Sequence, residues 1–364
     1  MLKRRTVLVA TAAAVTAATG LAAPAVAGPP APVGASGYAF TLLGTVNLPG
    51  QLSYGGSRVA GITGADYDPA SGTLRLVSAD RSNRAPARFF SAQLTVGSGV
   101  CALRLVGGVH PLTRPDGTPY PATGPDAADP QAIRYDAASG RVLWASAGDR
   151  AAGAAPAVRA ATANGAFVAE LPRPGNERVD VPGQGPQAGG GYRGLTLSAD
   201  GSFVASALRW PLLQDGATPV RMTFRDSASG EPLAQFAYQL DALPGNGVAE
   251  LVTVDESRYL VLEQAPLPNG GNSVRLYEID PSLGATNLLS EEAPAALAGA
   301  DYLSLQKRLV LDLADLRIGT VQNLQALTWG PELPDGRRSL LLVSDNGSVG
   351  NRSTQVIAVA VALS

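Results

Sequence analysis

The sequence predicts an all-β fold, a β-propeller of four-stranded blades. Three observations predict it: one hairpin phrase recurs along the chain, further strands follow most copies, and no long amphipathic helix interrupts them. The clearest copy runs from Asp129 to Asp149, with an apolar strand at 132–135, a turn carrying Asp136 and Gly140, and a second apolar strand at 142–147. The phrase returns at 62–80, with a shorter turn at 194–207, and more loosely at 248–263 and 324–345. Copies spaced by roughly 55 to 75 residues form an array of similar β-units. Closing such an array radially removes the strand edges that an open one exposes. A β-sandwich gives no reason for five copies of one phrase.

The elements follow in order. Residues 1–27 carry Lys3-Arg4-Arg5, a run of small apolar residues to Leu21 and Ala25-Val26-Ala27, the pattern of an export signal cleaved after Ala27. Arg4-Arg5 suits the twin-arginine route as well as the general one. The apolar run is too short and too rich in Ala and Thr for a membrane anchor, and no lipobox cysteine follows, so the expectation is a soluble secreted or periplasmic monomer. Cleavage leaves 25 basic residues against 30 acidic, a charge of about −5 that does not suit a nucleic-acid partner. Residues 28–37 read as a flexible leader, and 38–364 as one domain.

After each hairpin comes a third strand, beginning at Arg88, Ala157, Val220, Ser273 and Thr354. A fourth follows in all but the last copy: 101–106, 167–171, 234–240 and 308–313. The unassigned strand 40–46 is available to complete the last unit, closing the ring between the two ends of the chain. The count is five blades; six would require strands hidden in an insertion at 284–306, where 290–299 reads as a short helix. The Pro/Gly-rich stretch 173–191 reads as a floppy insertion or a lid.

Hairpin parity divides the residues between two rims. The turns 68–72, 136–140 and 199–201 share one rim, where Asp and Gly serve turn geometry. The other collects Asp80, Arg81, Arg84, Asp129, Gln131, Asp149, Arg150, Arg193, Arg209, Glu250, Glu263, Gln264, Gln325, Asp345 and Asn346. Carboxylates converging from several blades repel unless a cation or guanidinium lies between them, so this rim is where a ligand is expected. Asp80, Arg81, Asp149 and Glu263 are the expected catalytic groups. Arg84, Arg150, Arg193, Arg209, Gln131 and Gln325 are expected to bind a small ester or phosphate. Asp129, Glu250 and Asp345 are expected to ligate a metal, with Ca²⁺ as the hard cation for oxygen donors.

Residue inventory narrows the chemistry. Cys101 is the sole cysteine, so there is no intramolecular disulfide and no thiolate zinc site. His110 is the sole histidine and reads as an exposed loop residue; no Gly-x-Ser-x-Gly elbow is present, which argues against a Ser-His-Asp triad. Transition-metal sites built from several histidines are excluded as well.

The phrases Ser78-Ala-Asp-Arg81, Asp129-Pro-Gln-Ala-Ile133, Tyr192-Arg-Gly-Leu-Thr-Leu-Ser-Ala-Asp-Gly201, Val261-Leu-Glu-Gln264 and Asn323-Leu-Gln-Ala-Leu-Thr-Trp-Gly330, in this order and spacing, resemble the "esterase-like activity of phytase" family of exported propellers. The resemblance implies hydrolysis of phosphate or carboxylic esters assisted by Ca²⁺. It also implies glutamate at three inner-strand starts, where this chain has Gln131, Arg193 and Gln325. Glu to Gln keeps hydrogen bonding and removes both the charge and the general base. Two other readings stay open: a non-catalytic extracellular module binding a ligand or partner on the same rim, and a lactonase-like propeller with one tightly held Ca²⁺.

Overall fold

The computed structural model describes residues 33, 34, 37–97 and 100–363. The expected export signal lies outside the described residues, as does most of the expected leader. Val33, near the leader's end, is tied by backbone bonds of 2.8 and 2.6 Å to Phe40.

Strand β1 (Tyr38–Leu48) is followed by a short hairpin, β2 (Ser53–Tyr54) and β3 (Ser57–Arg58). Blade 1 is β4 (Ile62–Asp68), β5 (Thr73–Ser78), β6 (Arg88–Gly97) and β7 (Val100–Pro111). Blade 2 is β8 (Pro130–Asp136), β9 (Arg141–Ser146), β10 (Ala157–Thr162) and β11 (Phe167–Glu170). Blade 3 is β12 (Tyr192–Leu197), β13 (Phe203–Leu208), β14 (Pro219–Asp226) and β15 (Pro232–Gln239). Blade 4 is β16 (Gly247–Thr253), β17 (Tyr259–Pro266), β18 (Asn272–Ile279) and β19 (Lys307–Asp312). Blade 5 is β20 (Leu324–Glu332), β21 (Arg338–Ser344) and β22 (Thr354–Leu363), with β1 antiparallel to β22 as its outer strand. Five four-stranded sheets make the propeller, and the N- and C-terminal strands close it, as the sequence predicts.

Alternation along the strands builds the core between blades. In β22, Ile357, Val359 and Val361 pack on blade 4, while Val356, Ala358 and Ala360 pack on blade 1. The turns behave as turn chemistry requires: Asp68 accepts from the Ala70 amide at 3.0 Å and Asp136 from that of Ala138 at 3.0 Å, with Gly72 and Gly140 left-handed.

Two expectations are corrected. Residues 290–299 form turns and no helix. Pro294 and Gly299 oppose a helix, and tertiary partners take the backbone groups: Arg221 donates to the Ala295 carbonyl at 3.0 Å and the Leu297 amide donates to Asp215 at 3.1 Å. The insertion instead runs along the edge of blade 3, where the Leu288 and Leu305 amides donate to the carbonyls of Gln235 and Ala237 in β15, shielding that edge. The stretch 173–191 is likewise no floppy loop. Its Glu177 is fully buried, accepting from Tyr192 Oη, from Gln235 Nε2 at 3.1 Å and from Thr223 Oγ1 at 3.3 Å.

Candidate functional site

One irregularity recurs in every inner strand. The ladder between first and second strands slips by one residue at Thr63, Gln131, Arg193, Ala249 and Gln325, a β-bulge at the same position in each blade. A bulged residue leaves the ladder and its side chain is re-aimed. The residue after the bulge is small in four blades, and for good reason. A Cβ on Gly64 would lie 2.7 Å from Ala132 Cα, and one on Gly194 would lie 2.4 Å from Leu251 Cδ2. The inner strands approach each other so closely here that the bulged side chains share one small space.

Three of the five meet. Arg193 Nη1 donates to Gln131 Oε1 and, at 3.4 Å, to Gln325 Oε1. Gln131 Nε2 donates to Asp129 Oδ1 at 2.6 Å, and Arg81 Nη2 donates to Asp129 Oδ2 at 2.7 Å. Arg81 also stands 3.5 Å from Asp149, whose Oδ1 caps a short 3₁₀ turn (150–152). Gln325 Nε2 continues the chain to Asn323 at 2.7 Å and to Gln264 at 3.4 Å. Seven of the expected site residues therefore gather around a single guanidinium, once Arg209 and Asp345 are added through their charge.

The charges on this rim are unevenly paired. Arg209 lies over the Trp210 ring, 4.4 Å from its centroid, and its guanidinium carries no hydrogen bond or ion pair among the described residues. Burial first, and the neighbouring Arg193 second, bring its pKa down to about 10. Burial also lowers Arg193, whose Nε is buried without a partner. Asp345 is pushed up by burial, against the pull of the Gly347 amide at 2.7 Å and of Arg193. Unused guanidinium donors beside a carboxyl that holds its proton more firmly than usual favour an anion.

Other expected residues lie elsewhere or are occupied. Asp80 is buried and paired with Arg88 at 2.6 Å within blade 1. Arg84 donates to the Ser348 carbonyl at the edge of a cleft of about 270 Å³ that Asp80 and Asp345 also line. Arg150 spends its donors on the carbonyls of Val181, Gln184 and Pro186, pinning 173–191. Glu263 sits between blades 3 and 4, bonded to Lys307 Nζ at 2.6 Å, Tyr238 Oη at 2.6 Å and Asn246 Nδ2 at 2.5 Å. Glu250 is fully buried below the rim, its Oε1 accepting from the Leu195 and Leu251 amides.

Sequence reasoning passed over Arg134. Its guanidinium donates to the carbonyls of Ala65 (2.7 Å), Ile133 (2.7 Å), Leu251 (2.9 Å) and Leu327 (3.1 Å), and stands 3.3 Å from Glu250. One side chain thus ties the inner strands of blades 1, 2, 4 and 5, and Glu250 adds blade 3 through Leu195. An arginine in the middle of an otherwise apolar strand was the available signal.

The expected calcium ligands do not assemble. Among the described residues no three His, Cys, Asp or Glu side chains form a group that could hold a metal ion. Asp129 has both oxygens engaged, Glu250 lies apart from it, and guanidinium groups stand among the remaining carboxylates. Such a donor set does not fit Ca²⁺, which takes six to eight oxygen ligands, and no chemical step is assigned to one.

No curated protein sequence matches the chain. Among solved structures, a GH43 β-1,3-galactosidase aligns at 12% identity over 85% of this chain and 94% of that one, with a TM-score of 0.48. A putative exo-β-1,3-galactanase from Bifidobacterium bifidum aligns at 11% identity over 87% and 96%, with a TM-score of 0.46. The Kuenenia stuttgartiensis hydrazine synthase aligns at 14% identity, with a TM-score of 0.40; the match covers 79% of this chain and 65% of that one. Residues 57–347 match the phytase-like profile described as esterase-like activity of phytase, and the chain belongs to that family.

Proposed function

We propose that this phytase-like propeller is an exported monomer that binds the anionic end of a small phosphate or carboxylic ester over its axis and hydrolyses it. The observation that carries the reading is the pair Arg193 and Arg209 beside Asp345: Arg193 is held in place by Gln131 and Gln325, and the Arg209 guanidinium has no hydrogen-bond or ion-pair partner among the described residues. Arg193, held by Gln131 and Gln325, and Arg209 clamp the anion and offset the charge that develops as water adds. As the new bond from water oxygen to phosphorus or carbon forms, the ester bond to the leaving alkoxide breaks. Asp345, its pKa raised, delivers a proton to that alkoxide and takes one from the attacking water. Export rests on the N-terminal segment and is tested by N-terminal sequencing of protein recovered from the medium, which should begin after Ala27.

The occupied oxygens of Asp129 and Asp149 support a second reading, a non-catalytic module that holds an anion on the same rim. Calorimetric titration with inorganic phosphate, paired with turnover of p-nitrophenyl phosphate, separates the two. Binding that weakens at least about tenfold in Arg193→Ala, together with turnover, supports the hydrolase. Binding without turnover supports the module, and phosphate that fails to bind at all refutes both.

A further inference from the structure

The sole histidine is not a loop residue. His110 lies in β7, its ring stacked on Phe89 with centroids 4.7 Å apart, and its Nε2 is 3.1 Å from Ser91 Oγ in the adjacent strand β6. Both side chains are partly exposed.

The local backbone makes room at this pair. Between Phe90↔Val109 and Ser91↔Val106 the β6–β7 ladder slips, leaving Gly107 and Gly108 outside the register. Both are left-handed in φ, at 73° and 115°. A Cβ on Gly107 would come within 3.7 Å of the Ser91 Cβ, and one on Gly108 would meet nothing within 4 Å. Ser91 therefore faces a stretch of bare backbone, where a flat group can approach its Oγ.

A cation stands on the other side. Arg75 pairs directly with Ser91 across β5–β6, so the two share a face of the sheet. Its guanidinium stacks on Tyr135 at 3.8 Å, and its buried Nη1 has no hydrogen-bond partner, Asp68 being 3.9 Å away. Burial and the Arg75 charge lower the His110 pKa, which favours the neutral ring, and in its Nδ1–H tautomer Nε2 accepts from Ser91 Oγ. No carboxylate bonds the ring among the described residues, so the arrangement is a dyad and not a triad.

We propose that Ser91 and His110 form a nucleophile–base dyad on blade 1 that hydrolyses neutral short-chain acyl esters, separately from the axial rim. Ser91 Oγ bonds to the acyl carbon as its proton passes to His110 Nε2. The acyl C–O bond to the alcohol then breaks, and the leaving alkoxide takes that proton. Water repeats the sequence on the acyl-serine, releasing the acid and restoring the hydroxyl. Arg75 offsets the charge on the carbonyl oxygen in both steps.

The test is covalent labelling of the whole chain with a fluorophosphonate probe, followed by peptide mapping and by p-nitrophenyl acetate kinetics. A single adduct on Ser91 is expected, forming about 100-fold or more slowly in His110→Gln, with ester turnover lost in Ser91→Ala. An adduct confined to any other residue, no adduct, or a labelling rate unchanged in His110→Gln overturns the proposal. The wild-type adduct map requires no variant to fold, so the proposal stands or falls on it even if a substitution disturbs blade 1.

Discussion

Replacing Arg134 with Met tests how the axis is held together. The substitution keeps a long, linear side chain but removes a guanidinium that bonds four carbonyls and faces Glu250 at 3.3 Å. Taking one partner from a buried, hydrogen-bonded ion pair costs about 3–5 kcal/mol. The cost should also depend on pH. Burial raises Glu250 to about 8, and Asp66, which accepts from the Tyr135 amide, is raised by burial as well, with Arg134 the main opposing influence on both. Arg134 is the charge that opposes the upward shift of both carboxyls, so without it the folded state holds protons to higher pH than the unfolded chain, and the destabilisation grows as pH rises. Each proton so held adds about 1.4 kcal/mol per pH unit. Equilibrium unfolding in urea at pH 5, 6, 7 and 8 measures this directly. A penalty below about 1 kcal/mol, where a surface change would fall, or one that stays constant across the series, refutes the account of Arg134 as the charge that balances the axis.

Other outcomes follow from the same geometry. In the wild type, Glu250 contributes stability that is complete below pH 4.5 and is lost as pH rises toward about 8, because the unfolded chain ionises first. Glu250→Gln should flatten that decline, measured as thermal midpoint against pH. Glu177→Ala leaves Tyr192, Gln235 and Thr223 without their shared acceptor; a loss of about 2–4 kcal/mol and new proteolytic cleavage within 173–191 are expected, and unchanged cleavage counts against the anchoring role. Lys307→Met strips Glu263 and Asp241 of their ammonium partner, and should cost more than Lys307→Met combined with Glu263→Gln, a coupling read from a double-mutant cycle. Adding calcium to chelated protein should leave the thermal midpoint unchanged, since a specifically bound ion would raise it.

The propeller was legible because its signals are local. Turn residues such as Asp136 and Gly140, strand alternation and the spacing of the hairpin phrase all survive reading one segment at a time. Hairpin parity also placed Gln131, Arg193 and Gln325 on one rim, where they do meet. What failed was pairing across distance. Asp80 lies just past β5 and Glu263 within β17, but the sequence does not say that Arg88 and Lys307 occupy them. Lys307, one of only two lysines in the sequence, was a usable hint. The Ser91–His110 contact depends on a two-residue slip at Gly107-Gly108, and register of that kind has no signature in composition or period.

The five bulges have a consequence for how such a rim changes. A residue held outside the ladder has no cross-strand partner that must be matched when it is replaced, so at Gln131, Arg193 and Gln325 what constrains a change is the side chains' bonds to one another across the axis. Swapping an acid for an amide or a guanidinium at one of the three rewrites the charge over the axis and obliges the other two to find new partners, while the ladder of each blade is left as it is.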